Sequence, residues 1–142
     1  MIYYPLSTLM IPGIKDILII TKADQIHLFK NLLGNGNHLG IKISYAIQEK
    51  PKGIADAFLI GEDFIKDDNI ALILGDNIFF GHGLSKALAS ANAKTTGATV
   101  FGYYVNDPER YGVIEFDDTM QAVSIKEQPL APKSNYEMSG LF

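Results

Sequence analysis

The sequence predicts an α/β domain built on a mainly parallel sheet, with helices on both faces and an added antiparallel hairpin. Strand-like and helix-like segments alternate along the first 105 residues, which is the order that a parallel sheet requires. Polar residues do not interrupt the strand-like runs at 17–20 and 70–74, as in strands buried on both faces. Beyond residue 111 the apolar residues alternate with period two, which is typical of a hairpin.

The helices follow from apolar spacing. Apolar residues three and four apart between residues 22 and 33 form one helical face, and the glycine-rich residues 34–37 end that helix. A later helix is expected to turn Ile54, Ala57, Phe58 and Phe64 toward the core. In order, the predicted helices are at 3–11, 22–33, 54–65 and 84–93, and the predicted strands are at 17–20, 42–47, 70–74 and 99–105.

The last third of the chain predicts antiparallel pairing. Residues 112–116 and 121–127 alternate apolar with polar side chains, and a short acidic turn joins them. The chain opens on a helix with no strand before it and stops within the apolar run at 140–142. We therefore expect a single partial domain over residues 1–142, an interior piece of a larger one.

The composition excludes several classes of protein. With 142 residues, 47% hydrophobic and 20% charged, the chain has the make-up of a globular domain with a modest core. Cysteine is absent, which excludes disulfides and thiolate metal sites. A net charge of −4 without a basic stripe argues against nucleic-acid partners, and no apolar run has the length of a membrane span. Because no basic signal region opens the chain, we expect a cytoplasmic location.

Asp76 directly follows the most apolar of the predicted strands. Ligands of open α/β sheets bind beyond the carboxyl ends of strands, and Mg²⁺ takes carboxylate oxygens together with substrate phosphates. Asp76 is therefore a candidate magnesium ligand. An acidic residue at a strand end also commonly caps the following turn through its own backbone. The residues alone leave these two interpretations open.

The loop at 48–53 leads from a predicted strand toward a helix. Its backbone N–H groups suit an anion or a base edge, and the Gln48 amide can donate and accept at once. Pro51 and Gly53 break regular structure there. These residues are candidate nucleotide ligands, although an ordinary strand-to-helix loop explains the same pattern.

Tyr111, Gly112 and Glu127 are candidate ligands of a polyol. Carboxylates and backbone groups hold hydroxyls, and a glycine lets a ligand approach the backbone closely. A hairpin with exposed polar positions is the simpler interpretation of the same pattern. His27 and His38 lack the spacing of metal ligands and are expected on the surface.

Four motifs, taken together and in order, resemble one family of enzymes. They are MIYYPL at 1–6, LGDNIFFG at 74–81, DPERYGV at 107–113 and PKSNY at 132–136. With these motifs the chain resembles, along its whole length, the bacterial glucose-1-phosphate thymidylyltransferases, a branch of the sugar-phosphate nucleotidylyltransferases. The resemblance implies a Rossmann-like fold of the nucleotide-diphospho-sugar transferase type.

The resemblance also implies a reaction. The phosphate oxygen of glucose 1-phosphate attacks the α-phosphorus of dTTP, giving dTDP-glucose and pyrophosphate, with Mg²⁺ as cofactor. A homo-oligomer, a tetramer in the full-length form, is implied as well. The resemblance implies catalytic roles for Asp76 and Gln128, with Asp76 also the metal ligand. It implies nucleotide binding by Gln48, Pro51, Gly53 and Asp76, and sugar binding by Tyr111, Gly112, Glu127 and Phe142. A regulatory nucleotide site is implied near Phe80, Gly81 and His82.

The chain departs from the family pattern at positions that matter for catalysis. Gln128 stands where the family has a lysine that touches the sugar phosphate, so this position supplies a donor without positive charge. Met138 replaces a valine near the sugar. The family's glycine-rich phosphate loop is expected upstream of Met1, and its second magnesium carboxylate beyond Phe142.

Three functions stay open from the sequence. The first is thymidylyl transfer to glucose 1-phosphate, with this chain inactive by itself because it is a fragment. The second is a degenerate paralogue that binds nucleotide or sugar phosphate without catalysis, which the neutral Gln128 favours. The third is uridylyl or cytidylyl transfer to a sugar 1-phosphate, the reaction of the relatives most easily confused with this family.

Overall fold

The computed structural model describes residues 1–119 and 121–142. The chain divides into two compact units, here called the parallel unit (Leu6–Ile70) and the antiparallel unit (Met1–Pro5 with Ala71–Phe142). No helix in these ranges is long and apolar enough to cross a membrane. The single domain expected over 1–142 stays a prediction. The helices are α1 (Tyr3–Met10), α2 (Ile26–Leu33), α3 (Asp56–Ile60), α4 (Glu62–Ile65) and α5 (Leu84–Asn92), and the strands are β1 (Asp16–Thr21), β2 (Lys42–Ile47), β3 (Gly102–Tyr104), β4 (Gly112–Phe116), β5 (Ala122–Glu127) and β6 (Tyr136–Met138).

The parallel unit is organised by two paired strands. β1 and β2 run parallel, in a register that places Asp16 opposite Lys42. α2 packs on β2, and the hydroxyl of Tyr45 donates to the carbonyl of Gly34 at 2.7 Å, which fixes the end of α2. A helix between two parallel strands confirms the predicted α/β class. The buried apolar side chains of this unit are Leu6, Leu9, Ile17, Ile19, Leu33, Ile41 and Ile43.

The turn after α2 requires a glycine at position 36. Gly36 has a φ of +82°, in the left-handed region that glycine adopts without steric cost. A Cβ at this position would lie 2.8 Å from Cγ1 of Ile43 and 2.9 Å from the carbonyl oxygen of Ile41. The turn therefore brings its backbone against the residues that open β2.

The antiparallel unit is built on a four-stranded sheet with the order β3-β6-β4-β5. All of its described strand pairs are antiparallel, and the β4–β5 hairpin has an irregular register between Glu115 and Phe116. Val113, Ile114 and Glu115 are buried one after another on β4. Because successive side chains point to opposite faces, β4 is covered on both sides. The predicted hairpin is confirmed.

Residues 134–142 form an extended segment that joins several parts of this unit. The backbone N–H of Ser139 and its hydroxyl both donate to the carbonyl of Phe101, at 2.8 and 2.7 Å. The side-chain amide of Asn135 donates to the carbonyl of Val105 at 2.9 Å. Side-chain hydrogen bonds thus reinforce the pairing of β6 with β3 at both of its ends.

The prediction of a buried parallel strand at 70–74 is wrong. This run forms an isolated antiparallel bridge, between Ile73 and Leu141, instead of a strand in a parallel sheet. Its apolar composition predicted burial but did not identify the partner, which is the 134–142 segment. Backbone hydrogen bonds of 2.8 to 3.0 Å flank the bridge and join Leu72 with Phe142 and Leu74 with Gly140.

The helix predicted at 54–65 is divided in two at Gly61. This residue ends α3 and begins α4, and its carbonyl accepts from the last residue of α4 at 2.8 Å. Glycine has a low helix propensity, so a break at this position has a local cause. The expectation that Ile54, Phe58 and Phe64 face the core is also wrong, because these side chains are 41%, 40% and 37% exposed.

Other predicted elements are confirmed with small shifts. β2 and α5 lie where their patterns placed them, whereas α2 begins at Ile26. The N–H groups of Gln25 and Ile26 both donate to the carbonyl of Lys22 at 3.1 Å, so a turn precedes the helix. β6 was not predicted, because its three residues follow a loop that contains Pro129 and Pro132.

Substituting Gly36→Ala is expected to destabilise the chain more than Gly40→Ala. Both glycines have positive φ, +82° and +72°, so either alanine costs about 1–2 kcal/mol of backbone strain. Position 40 has open space around a Cβ, whereas position 36 meets Ile41 and Ile43, which adds about 1–3 kcal/mol. Urea unfolding followed by circular dichroism measures both free energies, and equal losses would contradict the packing argument.

Candidate active site

Asp76 lies in an exposed turn just after the bridge at Ile73. The N–H of Asn77 donates to the carbonyl of Leu74 at 3.3 Å and closes this turn. The carboxylate therefore stands at the end of an extended segment, as the sequence predicted, although that segment is paired antiparallel. Its role as a magnesium ligand stays a prediction.

The chemistry around Asp76 fits a metal ion that is shared with a substrate. Across residues 1–119 and 121–142, no group of three or more His, Cys, Asp or Glu side chains could hold a metal ion. Mg²⁺ usually takes one or two protein carboxylates and completes its shell with phosphate oxygens and water. A single exposed carboxylate such as Asp76 meets the protein's part of that requirement when a nucleotide supplies the phosphates.

The loop at 48–53 is anchored by Gln48. The N–H of Gln48 donates to the carbonyl of Thr21 at 2.9 Å, which continues the pairing of β1 with β2. Its side-chain Nε2 donates to Oδ2 of Asp56, in the first turn of α3, at 2.9 Å. A carboxylate can only accept, so this contact sets the orientation of the Gln48 amide and directs Oε1 elsewhere.

Gly53 and Pro51 complete the same loop. Gly53 has a φ of +96°, and its carbonyl accepts from the N–H of Asp56 at 3.3 Å. Pro51 and Gly53 are exposed. The structure thus gathers the predicted nucleotide residues of the parallel unit on one exposed loop, and their ligand stays a prediction.

Four predicted residues meet at one end of the β4–β5 hairpin. Gly112 is paired directly with Glu127, and a Cβ at position 112 would lie 3.2 Å from Oε1 of Glu127. The N–H of Gln128 donates to the carbonyl of Tyr111 at 2.9 Å. The glycine therefore leaves room for the Glu127 carboxylate to lie against the backbone, which suits a site for hydroxyl groups.

Gln128 has an unusual backbone conformation. Its φ is +43°, in the left-handed region that a residue with a side chain seldom adopts. Such strain costs on the order of 1–3 kcal/mol and is often found at functional sites. The conformation lies directly after β5, where the sequence placed a catalytic residue, and that role stays a prediction.

Phe142 is the last residue of the 134–142 segment. It pairs with Leu72, four residues before Asp76 along the neighbouring run. Met138, in β6, precedes Phe142 on the same segment and is half-buried. The segment thus carries one predicted sugar residue and contacts the run that leads to the predicted metal ligand.

Among the carboxyl groups of the antiparallel unit whose pKa values are shifted, Glu115 and Glu137 shift in opposite directions. The hydroxyl of Ser124 donates to Glu115 at 2.7 Å and lowers its pKa, with further help from Lys126 at 3.1 Å. Burial raises the pKa of Glu137, and the negative charge of Asp107 adds to that shift. Asp107 is itself paired with Arg110 at 3.2 Å.

Two cavities open on the antiparallel unit. The first, of about 540 Å³, lies at the N-terminal end of α5 and is lined by residues 81–86. It includes Gly81 and His82, which the family resemblance connects with a regulatory nucleotide, while Phe80 beside it is almost fully exposed. The second, of about 350 Å³, is lined by Tyr104, Tyr136 and Phe116, whose rings contact edge to face. Neither cavity includes the hairpin-end residues.

The sequence interpretation missed two partners of predicted site residues. Asp56 fixes the Gln48 amide, and Asn77 lies between Asp76 and Gly140. Each is a polar residue close in sequence to a candidate ligand. This closeness in sequence is the signal from which both partners could have been predicted. Their contacts still depend on turns whose geometry the residue pattern does not specify.

Comparison with known proteins gives a consistent result. The sequence model of the nucleotidyl transferase family matches residues 1–142. The glucose-1-phosphate thymidylyltransferase of Neisseria gonorrhoeae is 55% identical over 142 residues, which are all of this chain and 49% of that protein. The enzyme of the same name from Xanthomonas campestris pv. campestris is also 55% identical, over 48% of its length. The chain spans about half the length of the curated relatives it matches.

Solved structures show the same fold. A Bacillus anthracis protein with the provisional name glucose-1-phosphate thymidylyltransferase, crystallised with a sucrose, has a TM-score of 0.88 and 36% identity. The match covers 99% of this chain and 56% of that one. An apo UDP-glucose pyrophosphorylase has a TM-score of 0.77 and 22% identity, over 97% of this chain and 62% of its own, and shows the fold alone. The nucleotide-diphospho-sugar transferase fold predicted from the sequence is confirmed.

Glu115→Gln and Glu137→Gln are expected to change stability at pH 7 in opposite directions. The folded pKa of Glu115 is below the ordinary value of 4.5, so its ionised form stabilises the fold above that pH and the contribution is lost as pH falls through the folded pKa. Glu115→Gln should therefore lower the free energy of unfolding at pH 7, and the loss should shrink in acid.

The folded pKa of Glu137 is above 4.5, so stability falls as pH rises from that value through the folded pKa. Glu137→Gln should raise the free energy of unfolding at pH 7 and give no gain below pH 4.5. Urea titrations at pH 4 and pH 7, on either side of the ordinary glutamate pKa of 4.5, measure the free energy of unfolding of both variants. If both substitutions change the free energy of unfolding at pH 7 in the same direction, the causes assigned to the two pKa shifts are wrong.

Proposed function

We propose, because the chain belongs to the nucleotidyl transferase family, that it carries nucleotide and sugar-phosphate sites for thymidylyl transfer from dTTP to glucose 1-phosphate. The observation that carries the proposal is 55% identity, over the full chain, to proteins named for that activity. The meeting of Tyr111, Gly112, Glu127 and Gln128 at one hairpin end supports it. Mg²⁺, a cytoplasmic location and a homo-oligomer, tetrameric in the full-length form, belong to the same proposal.

The reaction is an in-line displacement at phosphorus. An oxygen of the glucose 1-phosphate phosphate forms a bond to the α-phosphorus of dTTP, and the bond from that phosphorus to the bridging oxygen breaks. Pyrophosphate leaves with the electron pair, and dTDP-glucose is the other product. A bound Mg²⁺ would neutralise charge on the phosphates. Asp76 is the side chain in this part of the protein that would hold it.

The orientation of the Gln48 amide indicates which nucleobase the loop at 48–53 would bind. One N–H of its Nε2 donates to Asp56, which orients the amide and leaves Oε1 to accept from a ligand and the second N–H to donate. Thymine and uracil carry a donor at N3, whereas N3 of cytosine is an acceptor. Oε1 of Gln48 would accept from the N3–H of thymine or uracil, a contact that cytosine cannot make at N3, so we expect cytosine nucleotides to bind more weakly. Pro51 and Gly53 would contact the base from the same loop.

The hairpin end would hold the sugar. The carboxylate of Glu127 lies over Gly112 and would accept hydrogen bonds from glucose hydroxyls, beside the exposed phenol of Tyr111. Phe142 would contribute an apolar surface near the sugar phosphate. Gln128 would donate to that phosphate without adding a positive charge.

A binding module without catalysis is the second candidate. The observation that favours it is the neutral Gln128, at a position where the family resemblance implies a lysine. A charge-assisted hydrogen bond is roughly twice as strong as a neutral one, so the loss of positive charge weakens stabilisation of the transition state. This candidate keeps base and sugar recognition and lacks pyrophosphate release.

The chain is expected to bind dTTP and UTP with Mg²⁺ about equally and CTP about tenfold or more weakly. The reason is that the contact of Nε2 with Asp56 fixes Oε1 of Gln48 as a hydrogen-bond acceptor for the base. Asp56→Asn should reduce this discrimination, because an asparagine partner lets the Gln48 amide turn over. Isothermal titration calorimetry with each nucleotide measures the dissociation constants.

Asp118→Asn serves as the control, because Asp118 is an exposed carboxylate in the hairpin turn. It should leave all three dissociation constants unchanged. Pyrophosphate release with glucose 1-phosphate in the same samples would rule out the binding module. If no nucleotide binds in a magnesium-dependent way, or if CTP binds as well as dTTP, the proposed base recognition is wrong.

A further inference from the structure

The side chain of Asn77 lies between the turn of Asp76 and the 134–142 segment. In one orientation of its amide, Oδ1 accepts from the N–H of Gly140 at 3.0 Å and Nδ2 donates to Oδ1 of Asp76 at 3.3 Å. A backbone N–H can only donate and a carboxylate can only accept. The two neighbours therefore select this orientation, and one amide connects the Gly140 backbone with the Asp76 carboxylate.

Gly140 permits this connection because it has no side chain. A Cβ at position 140 would overlap with the side-chain amide of Asn77 and would lie 2.6 Å from Cδ1 of Leu74. The residue is buried, and its carbonyl accepts from the N–H of Leu74 at 2.8 Å. The donor that meets Asn77 is thus held on a backbone already fixed by pairing.

The amide contact is not needed to form the turn. The backbone N–H of Asn77 already closes it through the carbonyl of Leu74 at 3.3 Å. The side-chain hydrogen bonds are additional, and their effect falls on the orientation of the Asp76 carboxylate. Carboxylates that bind metals are commonly hydrogen-bonded by such outer partners, whose loss typically costs about 10–100-fold in metal affinity.

We infer that Asn77 is a positioning residue for Asp76, and that Gly140 acts through Asn77 as the fixed donor of this arrangement. The inference rests on the proposed function, since it gives Asp76 a divalent cation to hold together with nucleotide phosphates. It adds that the cation ligand is oriented from the 134–142 segment, which also carries Phe142. Sugar-phosphate and cation recognition would then share one backbone support.

The test measures Mn²⁺ binding by electron paramagnetic resonance in the presence of saturating dTTP. Asn77→Ala is expected to weaken Mn²⁺ binding by about tenfold. Gly75→Ala is the matched control, since a Cβ there meets nothing within 4 Å, and it should leave Mn²⁺ binding unchanged.

A second readout does not depend on metal or nucleotide. In the free protein, the N–H of Gly140 should exchange with solvent faster in Asn77→Ala than in the wild type, as measured by NMR. If Asn77→Ala fails to fold, Asn77→Ser provides the same comparison. Unchanged Gly140 exchange would overturn the inference whatever the metal data show.

The outcomes separate this inference from the proposed function. If the wild type binds no Mn²⁺ in the presence of dTTP, the proposed function is overturned, and the inference with it. If the wild type binds and Asn77→Ala binds equally well, only the inference is overturned. A comparable loss in Gly75→Ala would also overturn it, because that result assigns the effect to a general disturbance of the turn.

Discussion

Antiparallel pairing of the 134–142 segment is the constraint on which the antiparallel unit depends. At its beginning the segment lies between β3 and β4, and at its end it pairs with the run around Ile73. Backbone bonds alone would leave such a short strand weak, and Asn135 and Ser139 add side-chain hydrogen bonds at its margins. The exposed turn of Asp76 is thereby attached to a buried and hydrogen-bonded support. A carboxylate held in this way loses less freedom when it binds a ligand.

The parallel unit supports its loop by a different means. Pairing of β1 with β2 extends one residue further, to Gln48, whose side chain is then fixed by Asp56 at the start of α3. Two hydrogen bonds of Gln48 thus join the end of the strand, the loop and the start of the helix. In chemical terms the result is an oriented amide on an exposed loop, which selects between nucleobases by donor and acceptor pattern and not by size. The hairpin end of the other unit offers a carboxylate beside a glycine, which suits hydroxyl groups.

The parts of the fold that were predictable are those with local causes. Period-two alternation identified β2 and the β4–β5 hairpin, and three-to-four spacing identified α2, because these patterns follow from burial of one face. The run at 70–74 failed because apolar composition indicates burial without naming the partner strand. Gly61 ended a helix that the apolar spacing would have continued. Asp76 and Glu127 were identified as candidates from residue type and position, whereas Asn77 and Asp56 act through contacts that only the folded turns create.

The central claim is that this chain carries both a sugar-phosphate site and a nucleotide site. Amide NMR titration of the uniformly ¹⁵N-labelled chain tests it most directly, with glucose 1-phosphate, Mg²⁺ with dTTP, and glucose 6-phosphate as the control ligand. The account predicts that glucose 1-phosphate shifts the amides of Tyr111, Gly112, Glu127 and Gln128, and that Mg²⁺ with dTTP shifts those of Gln48 and Gly53. Glucose 6-phosphate should leave both sets nearly unchanged. Shifts confined to other residues, or equal shifts with the two sugar phosphates, would contradict the account.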